Sequence, residues 1–208
     1  MEEYMPTATF TNLPEEKQER ILQAAAKEFG KRNVQEGILS NIVKDAGISR
    51  GSLYQYFPSK ADLYIHVFET LRARRAEYVK PAYALFKKES FLLFFKNLYL
   101  LDSEYLLRNP LHIAMGQQLY SNAHSVSRGL IQRMQNRYQE IFVIGIDFDK
   151  EQGVIDPQVN TWAMADLCVH FVTDIFIFQS INSQLSLGNI RDYIEKTLYI
   201  IENGIKSA

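Results

Sequence analysis

Cysteine is almost missing from this 208-residue chain: Cys168 stands alone, so no disulfide can form within it. That usage fits a reducing compartment. Its place in an apolar helical run marks Cys168 as a small core residue. Glycine (10) and proline (6) are few and scattered, which excludes collagen-like and low-complexity classes. The longest apolar stretches are broken by Lys96, His170, Asp174 and Gln179, so none reaches the roughly 18–20 residues of a membrane span. The acidic start MEEYMP lacks the apolar stretch of a signal peptide. A soluble, cytoplasmic protein is expected. Excess charge is missing too: 23 Lys+Arg stand against 24 Asp+Glu, a net charge of −1. A nucleic-acid partner held by a broad positive field is thereby excluded, and any DNA contact must come from a placed motif.

What is present is apolar and aromatic surface, with 47% hydrophobic and 12% aromatic residues. Its spacing is helical. Residues 1–13 carry no periodicity and read as a loose arm. From Pro14, which suits a helix start, Ile21, Leu22, Ala25 and Phe29 line one face up to Gly30. A short helix follows from Leu39 to Asp45, with Gly47 able to supply the positive φ that closes it. Ser49 caps a second short helix ending near Tyr56, before Phe57-Pro58. Ser59 starts a longer helix towards Pro81, with Asp62 completing an imperfect capping box. Further helices are expected at 82–88, 90–107, 111–121, 124–145, 158–184 and 189–206. Strand alternation and Asn-Gly or Asp-Gly hairpin signals are missing, so the fold class is all-α. No repeat of solenoid length is evident.

No catalytic constellation emerges. The four histidines, His66, His112, His124 and His170, are scattered singly without HExxH or ExxH pairs, so no metal site and no cofactor is expected. The GxSxG, GxGxxG and P-loop patterns are missing too. Asp147, Asp149 and Glu151 resemble a calcium loop only until the count reaches Gln152 and Gln158, where an EF-hand needs Gly and Glu. They read as a solvated acidic loop. Arg72, Arg74 and Arg75 read as a solvated basic face near a helix C-terminus.

The informative stretch is Leu39–Lys60, LSNIVKDAGISRGSLYQYFPSK. Two short helices, a Gly turn and an apolar residue after it are the parts of a helix–turn–helix. The second helix points Leu53 and Phe57 inward and offers Arg50, Ser52, Tyr54, Gln55 and Tyr56 outward, while Gly51 leaves room for a phosphate. These residues, with Ile21, Ala24, Ala25, Phe29, Ile42, Ala46, Ile48, Ser59, Lys60 and Leu63, resemble the TetR family of transcriptional regulators over about residues 15–65. One departure stands out. Where members commonly carry Thr or Ser capping the first of the two helices, this chain has Gly37-Ile38-Leu39, which leaves Ser40 and Asn41 as candidates for a phosphate contact.

The resemblance implies a three-helix helix–turn–helix domain at residues 1–62 and a helical effector-binding and dimerisation domain at 63–208. It implies a homodimer reading a palindromic operator in double-stranded DNA, with recognition helices about 34 Å apart. Arg50 and Gln55 are assigned to base edges; Ser52, Tyr54, Tyr56 and Lys60 to the phosphate backbone, with Gly51 leaving room for a phosphate and Ser49 counted among the DNA-binding residues. A small, largely apolar effector is expected among Phe94, Tyr105, Met115, Leu119 and Phe171, with His170 or Asp174 as polar anchor. Trp162, Val169, Ile177, Tyr193, Ile194, Leu198 and Ile201, on the last two helices, are the expected dimer interface. The function implied is a ligand-responsive regulator, most simply a repressor. An effector-free architectural DNA-binding protein of the same fold is the alternative; a helical carrier or enzyme with a vestigial DNA domain is a third. Residues 15–60 hold eight basic against six acidic side chains, so DNA would be held by few contacts, with a moderate salt dependence.

Overall fold

The structure, a computed structural model, describes residues 6–121, 124–181 and 186–203, with side chains described throughout except along 172–181. The described residues are helical, without strands. The helices are α1 (Ala8–Thr11), α2 (Glu15–Lys31), α3 (Leu39–Ala46), α4 (Arg50–Tyr56), α5 (Lys60–Tyr83), α6 (Phe91–Arg108), α7 (Pro110–Tyr120), α8 (Ser125–Glu151), α9 (Thr161–Ile181) and α10 (Leu187–Asn203). Among the described residues no helix is long and apolar enough to cross a membrane.

Contacts group the chain into two compact units. One joins Met1–Arg74 with Pro110–Gln132, and the other joins Arg75–Asn109 with Arg133–Ala208. In the first unit the apolar face expected on α2 is buried: Ile21, Ala25 and Phe29 are fully enclosed, with Ile42, Leu53, Phe57, Leu63, Met115 and Leu119 around them. Gly30 lets α2 and α7 approach, since a Cβ there would stand 2.9 Å from the Ala114 Cβ. In the second unit the core is aromatic. Phe142 of α8 stands edge-on to Phe91 and Phe95 of α6, at 5.7 and 5.5 Å between ring centroids. Such tilted pairs add about 0.5–1.5 kcal/mol each beyond area burial.

Four expectations change. The expected arm contains a helix: residues 8–11 form α1, and Phe10 is 1% exposed. Residues 84–88, expected as helix, are turns. Pro81 crowds the end of α5, and Leu85 N–H donates to Ala82 O at 3.0 Å in a three-residue step. α8 runs on to Glu151, so the acidic residues are its last turn and not a solvated loop; Asp149, 3% exposed, accepts the Phe91 N–H at 2.7 Å and caps α6. The arginine cluster is solvated only in part, with 37% of the Arg72 and 44% of the Arg74 side chain exposed. Arg72 pairs with Glu69 and Arg74 with Glu19, while Arg75 is buried with Asp102, gripped through both Nε and Nη2.

Candidate nucleic-acid interface

The turn between α3 and α4 closes as the residue types require. Gly47 takes φ 65° and ψ 40°; its N–H donates to Lys44 O at 3.2 Å, and that of Ile48 to Val43 O at 3.0 Å. This is the paired bonding of a Schellman end, and it needs a residue without Cβ strain. Ser49 then caps α4 by accepting the Ser52 N–H at 3.0 Å. Leu53 and Phe57 are 2% and 1% exposed, as the spacing predicts. Half of the capping box at α5 forms: Ser59 Oγ accepts the Asp62 N–H at 3.1 Å. The Asp62 carboxylate accepts the Ser59 hydroxyl at 2.6 Å.

On α4 the exposed side chains are Arg50, Tyr54 and Gln55, with Gly51 bare between them. Spacings of one, four and five residues put them on one helix face. Ser52 is half-buried, its hydroxyl 2.9 Å from that of Ser49. Tyr56 sits differently from its expected outward place. It is 5% exposed, packs 6.1 Å from the Phe10 ring and lies under Lys17 at 5.8 Å. Lys60 is engaged within the chain, donating to Gln35 O at 2.6 Å and Gly37 O at 3.2 Å, so it closes the loop before α3. Ser40 is exposed at the start of α3. Asn41 is turned towards Glu28, donating through Nδ2 at 3.0 Å.

Glu28 is the organiser that the sequence did not reveal. Only 5% exposed, it also accepts the Ile38 N–H and an Arg32 N–H, each at 3.0 Å. Burial alone would raise its carboxyl; the Ile38 N–H, Asn41 and Arg32 more than offset this and hold it below the usual value. The Ile38 N–H thus has a carboxylate partner from α2, at the point where the chain lacks a capping hydroxyl of its own.

His66 of α5 stands edge-on to Phe10 at 5.3 Å and tilted against Phe57 at 5.5 Å. Burial among these rings holds its imidazole below the ordinary value of 6.5. The unfolded chain then binds a proton that the folded chain resists, so folding is disfavoured as pH falls through about 6.5 and below. Urea midpoints are expected to drop between pH 7.5 and 5.5, and His66→Phe should remove part of that drop. Superimposable pH profiles for the two proteins would contradict this.

The residues expected around an effector divide between the units. Met115 and Leu119 lie in the first unit's core with Phe29 and Ile42. Phe94 and Tyr105 lie in the second, packed against Tyr83, Phe86 and Phe91, and against Tyr78, respectively. Phe171 faces Tyr193 at 6.0 Å. His170 leaves 58% of its side chain exposed, its Nδ1 2.8 Å from the Asp166 carbonyl oxygen. The side chains of Asp174 and Ile177 lie outside the described residues. Of the other residues expected at a dimer interface, Trp162 and Tyr193 are 61% and 41% exposed. Val169, Ile194 and Leu198 are buried inside the second unit, and Ile201 is half-buried. No cluster of His, Cys, Asp or Glu able to hold a metal occurs among the described residues.

A Gly-closed turn, a Ser-capped second helix and an exposed face of Arg, Tyr and Gln define a helix–turn–helix domain. Residues 21–67 match the family described as bacterial regulatory proteins, tetR family. Residues 21–67 thus resemble the N-terminal helix–turn–helix domain of that family. Over 59 residues it is 37% identical to the uncharacterized HTH-type transcriptional regulator YdgC of Bacillus subtilis, covering 28% of this chain and 30% of that relative. The chain thus matches about a third of that relative's length. Solved structures agree over nearly the whole chain. A TetR-family regulator from Chloroflexus aurantiacus superimposes with a TM-score of 0.72 at 18% identity, covering 98% of this chain and all of that one. FadR from Bacillus subtilis, solved in complex with stearoyl-CoA, does so with a TM-score of 0.73 at 16% identity, covering 90% and 99%. The fold is that of TetR-family regulators.

Proposed function

We propose that this protein is a homodimeric, effector-responsive transcriptional regulator, a repressor in its simplest form, acting in the cytoplasm on a palindromic operator. The observation that carries the reading is the α4 face: Arg50, Tyr54 and Gln55 stand exposed on a helix whose start is set by the Gly47 turn and the Ser49 cap. Arg50 and Gln55 suit guanine and adenine edges; Ser49, Gly51, Ser52 and Tyr54 suit phosphates, as does Ser40 from α3. DNA binding falls to residues 1–62, and effector binding and dimerisation to 63–208. An acyl chain, such as the one FadR of B. subtilis is solved with, is the effector class to try first, since the core of the second unit is rich in aromatic side chains. The effector acts through a difference in affinity between an operator-competent and an incompetent dimer.

The test is selection from random duplex DNA with the full chain, followed by footprinting. A palindrome with half-sites one helical turn apart is expected. Arg50→Ala should weaken binding by about 1–3 kcal/mol and relax preference at one position per half-site. Unchanged affinity and preference would remove Arg50 from base reading.

The effector-free architectural reading keeps one observation in its favour: His170, expected to face a ligand, is exposed. Thermal melting with fatty acids and acyl-CoAs separates the two readings. A shift, together with release of the selected operator, supports an effector.

A further inference from the structure

α4 is seven residues long and α1 is four. Neither is long enough to hold its shape in isolation, since helices below about 12–15 residues are marginal in water. The placement of the α4 face is therefore set by what grips the helix. Its N-terminal end is held by the Gly47 turn and Ser49. Its C-terminal end leaves backbone carbonyls without helical partners, and two of these are taken by one residue upstream of α1. Thr7 donates its hydroxyl to Gln55 O at 2.6 Å and its N–H to Tyr56 O at 3.0 Å.

α1 is fastened on the other side as well. Gln18 of α2 donates to Leu13 O at 2.8 Å and Thr11 O at 3.2 Å. Between the two attachments Phe10 enters the core, tilted against Phe57 at 4.7 Å, with Tyr56 at 6.1 Å. The segment thus bridges the first turn of α2 and the last turn of α4, and it holds the carbonyl of Gln55, one of the residues assigned to base reading.

We propose that α1 is a positioning clamp for the recognition helix, with Thr7 and Phe10 as its positioning residues. Phe10 is buried and the Thr7 hydroxyl is taken by Gln55 O, so both act through the protein. Each fixes where Gln55, assigned to a base edge, presents itself, and so contributes to discrimination between DNA sequences more than to attraction for phosphates. This rests on the DNA-binding reading above, but its structural half stands apart from it: α4 should loosen when the clamp is weakened, with or without DNA.

The experiment compares the full-length wild type with Thr7→Val, Phe10→Ala and Phe10→Leu. Thr7→Val removes one hydroxyl bond and leaves the core intact, which covers the case in which Phe10→Ala fails to fold. Amide hydrogen exchange of the free protein is followed over residues 50–57. Exchange there is expected to quicken about threefold to tenfold in Thr7→Val, and at least about tenfold in Phe10→Ala, with recovery towards wild type in Phe10→Leu. Binding is then measured to the selected operator and to a scrambled duplex of equal length. The ratio of the two affinities should fall in the same order, while affinity for the scrambled duplex stays constant. Unchanged exchange over α4 in both Thr7→Val and Phe10→Ala would overturn the clamp. So would equal losses on both duplexes, which would mark Phe10 as a general core residue. If the wild type selects no site at all, the DNA reading fails, and the exchange measurement still decides whether α1 holds α4.

Discussion

Asp102→Ala is expected to lower the stability of the second unit by about 3–5 kcal/mol, the usual result of removing one partner of a buried ion pair. Asp102 is 3% exposed and Arg75 9%. The guanidinium meets the carboxylate through two N–H groups, a bidentate geometry that Lys could not reproduce. Without Asp102 the charge of Arg75 remains buried and loses its matched acceptor. The pair itself need not be a large net source of stability, because both groups were desolvated to form it. A second substitution separates the two effects: Arg75→Met combined with Asp102→Leu removes both charges and should recover most of the loss. Urea unfolding followed by near-ultraviolet circular dichroism measures both. A double variant as unstable as Asp102→Ala would show that the charges are a net stabiliser at this site.

This pair sits at a point of some consequence. Arg74 and Arg75 are adjacent on α5, where the chain passes from one unit to the other. Arg74 is tied to Glu19 of α2 in the first unit, and Arg75 to Asp102 of α6 in the second. The Arg74 hydrogen bond is the main reason that the Glu19 carboxyl lies below its ordinary value, despite partial burial. α5 is thus anchored separately in each unit by consecutive side chains.

The sequence exposed what was local and left hidden what depended on distant partners. Gly47, Ser49, Leu53 and Phe57 act within one turn of themselves, so the helix–turn–helix could be read residue by residue. The Ser59 cap of α5 is of the same kind. Phe10 could not be read this way. It sits in a four-residue helix without periodicity, and its neighbours Phe57 and His66 lie more than 45 residues on. Tyr56 was misjudged for a related reason: it lies three residues after the buried Leu53, and Phe10 and Lys17, both distant in sequence, pack against its ring. Lys60 and Asn41 looked like free polar groups until loop carbonyls and Glu28 were placed beside them. Arg75 and Asp149 show the same limit for charge. A run of like-charged residues suggests solvent, yet a partner from another helix makes burial affordable.

The proposed dimer surface makes the largest functional prediction. Periodicity identified the apolar positions on α9 and α10 but could not say which of them the chain covers by itself. Val169, Ile194 and Leu198 are covered within the second unit, whereas Trp162, Leu167, Tyr193 and Ile200 remain 41–61% exposed. Leu167 lies one turn before Phe171, whose ring faces Tyr193, so these side chains join α9 and α10 in one apolar face. Exposed aromatic and aliphatic groups of this kind suit a symmetric interface. On the dimeric reading, Leu167→Glu combined with Tyr193→Glu places two charges at each half of that interface without disturbing a buried position. The variant is expected to sediment as a folded monomer with a helical spectrum like that of the wild type. Its affinity for the full palindrome should fall by about 100-fold or more, because the second half-site no longer binds intramolecularly, while affinity for a single half-site stays the same. A variant that remains dimeric and holds the palindrome as the wild type does would move the interface away from this face.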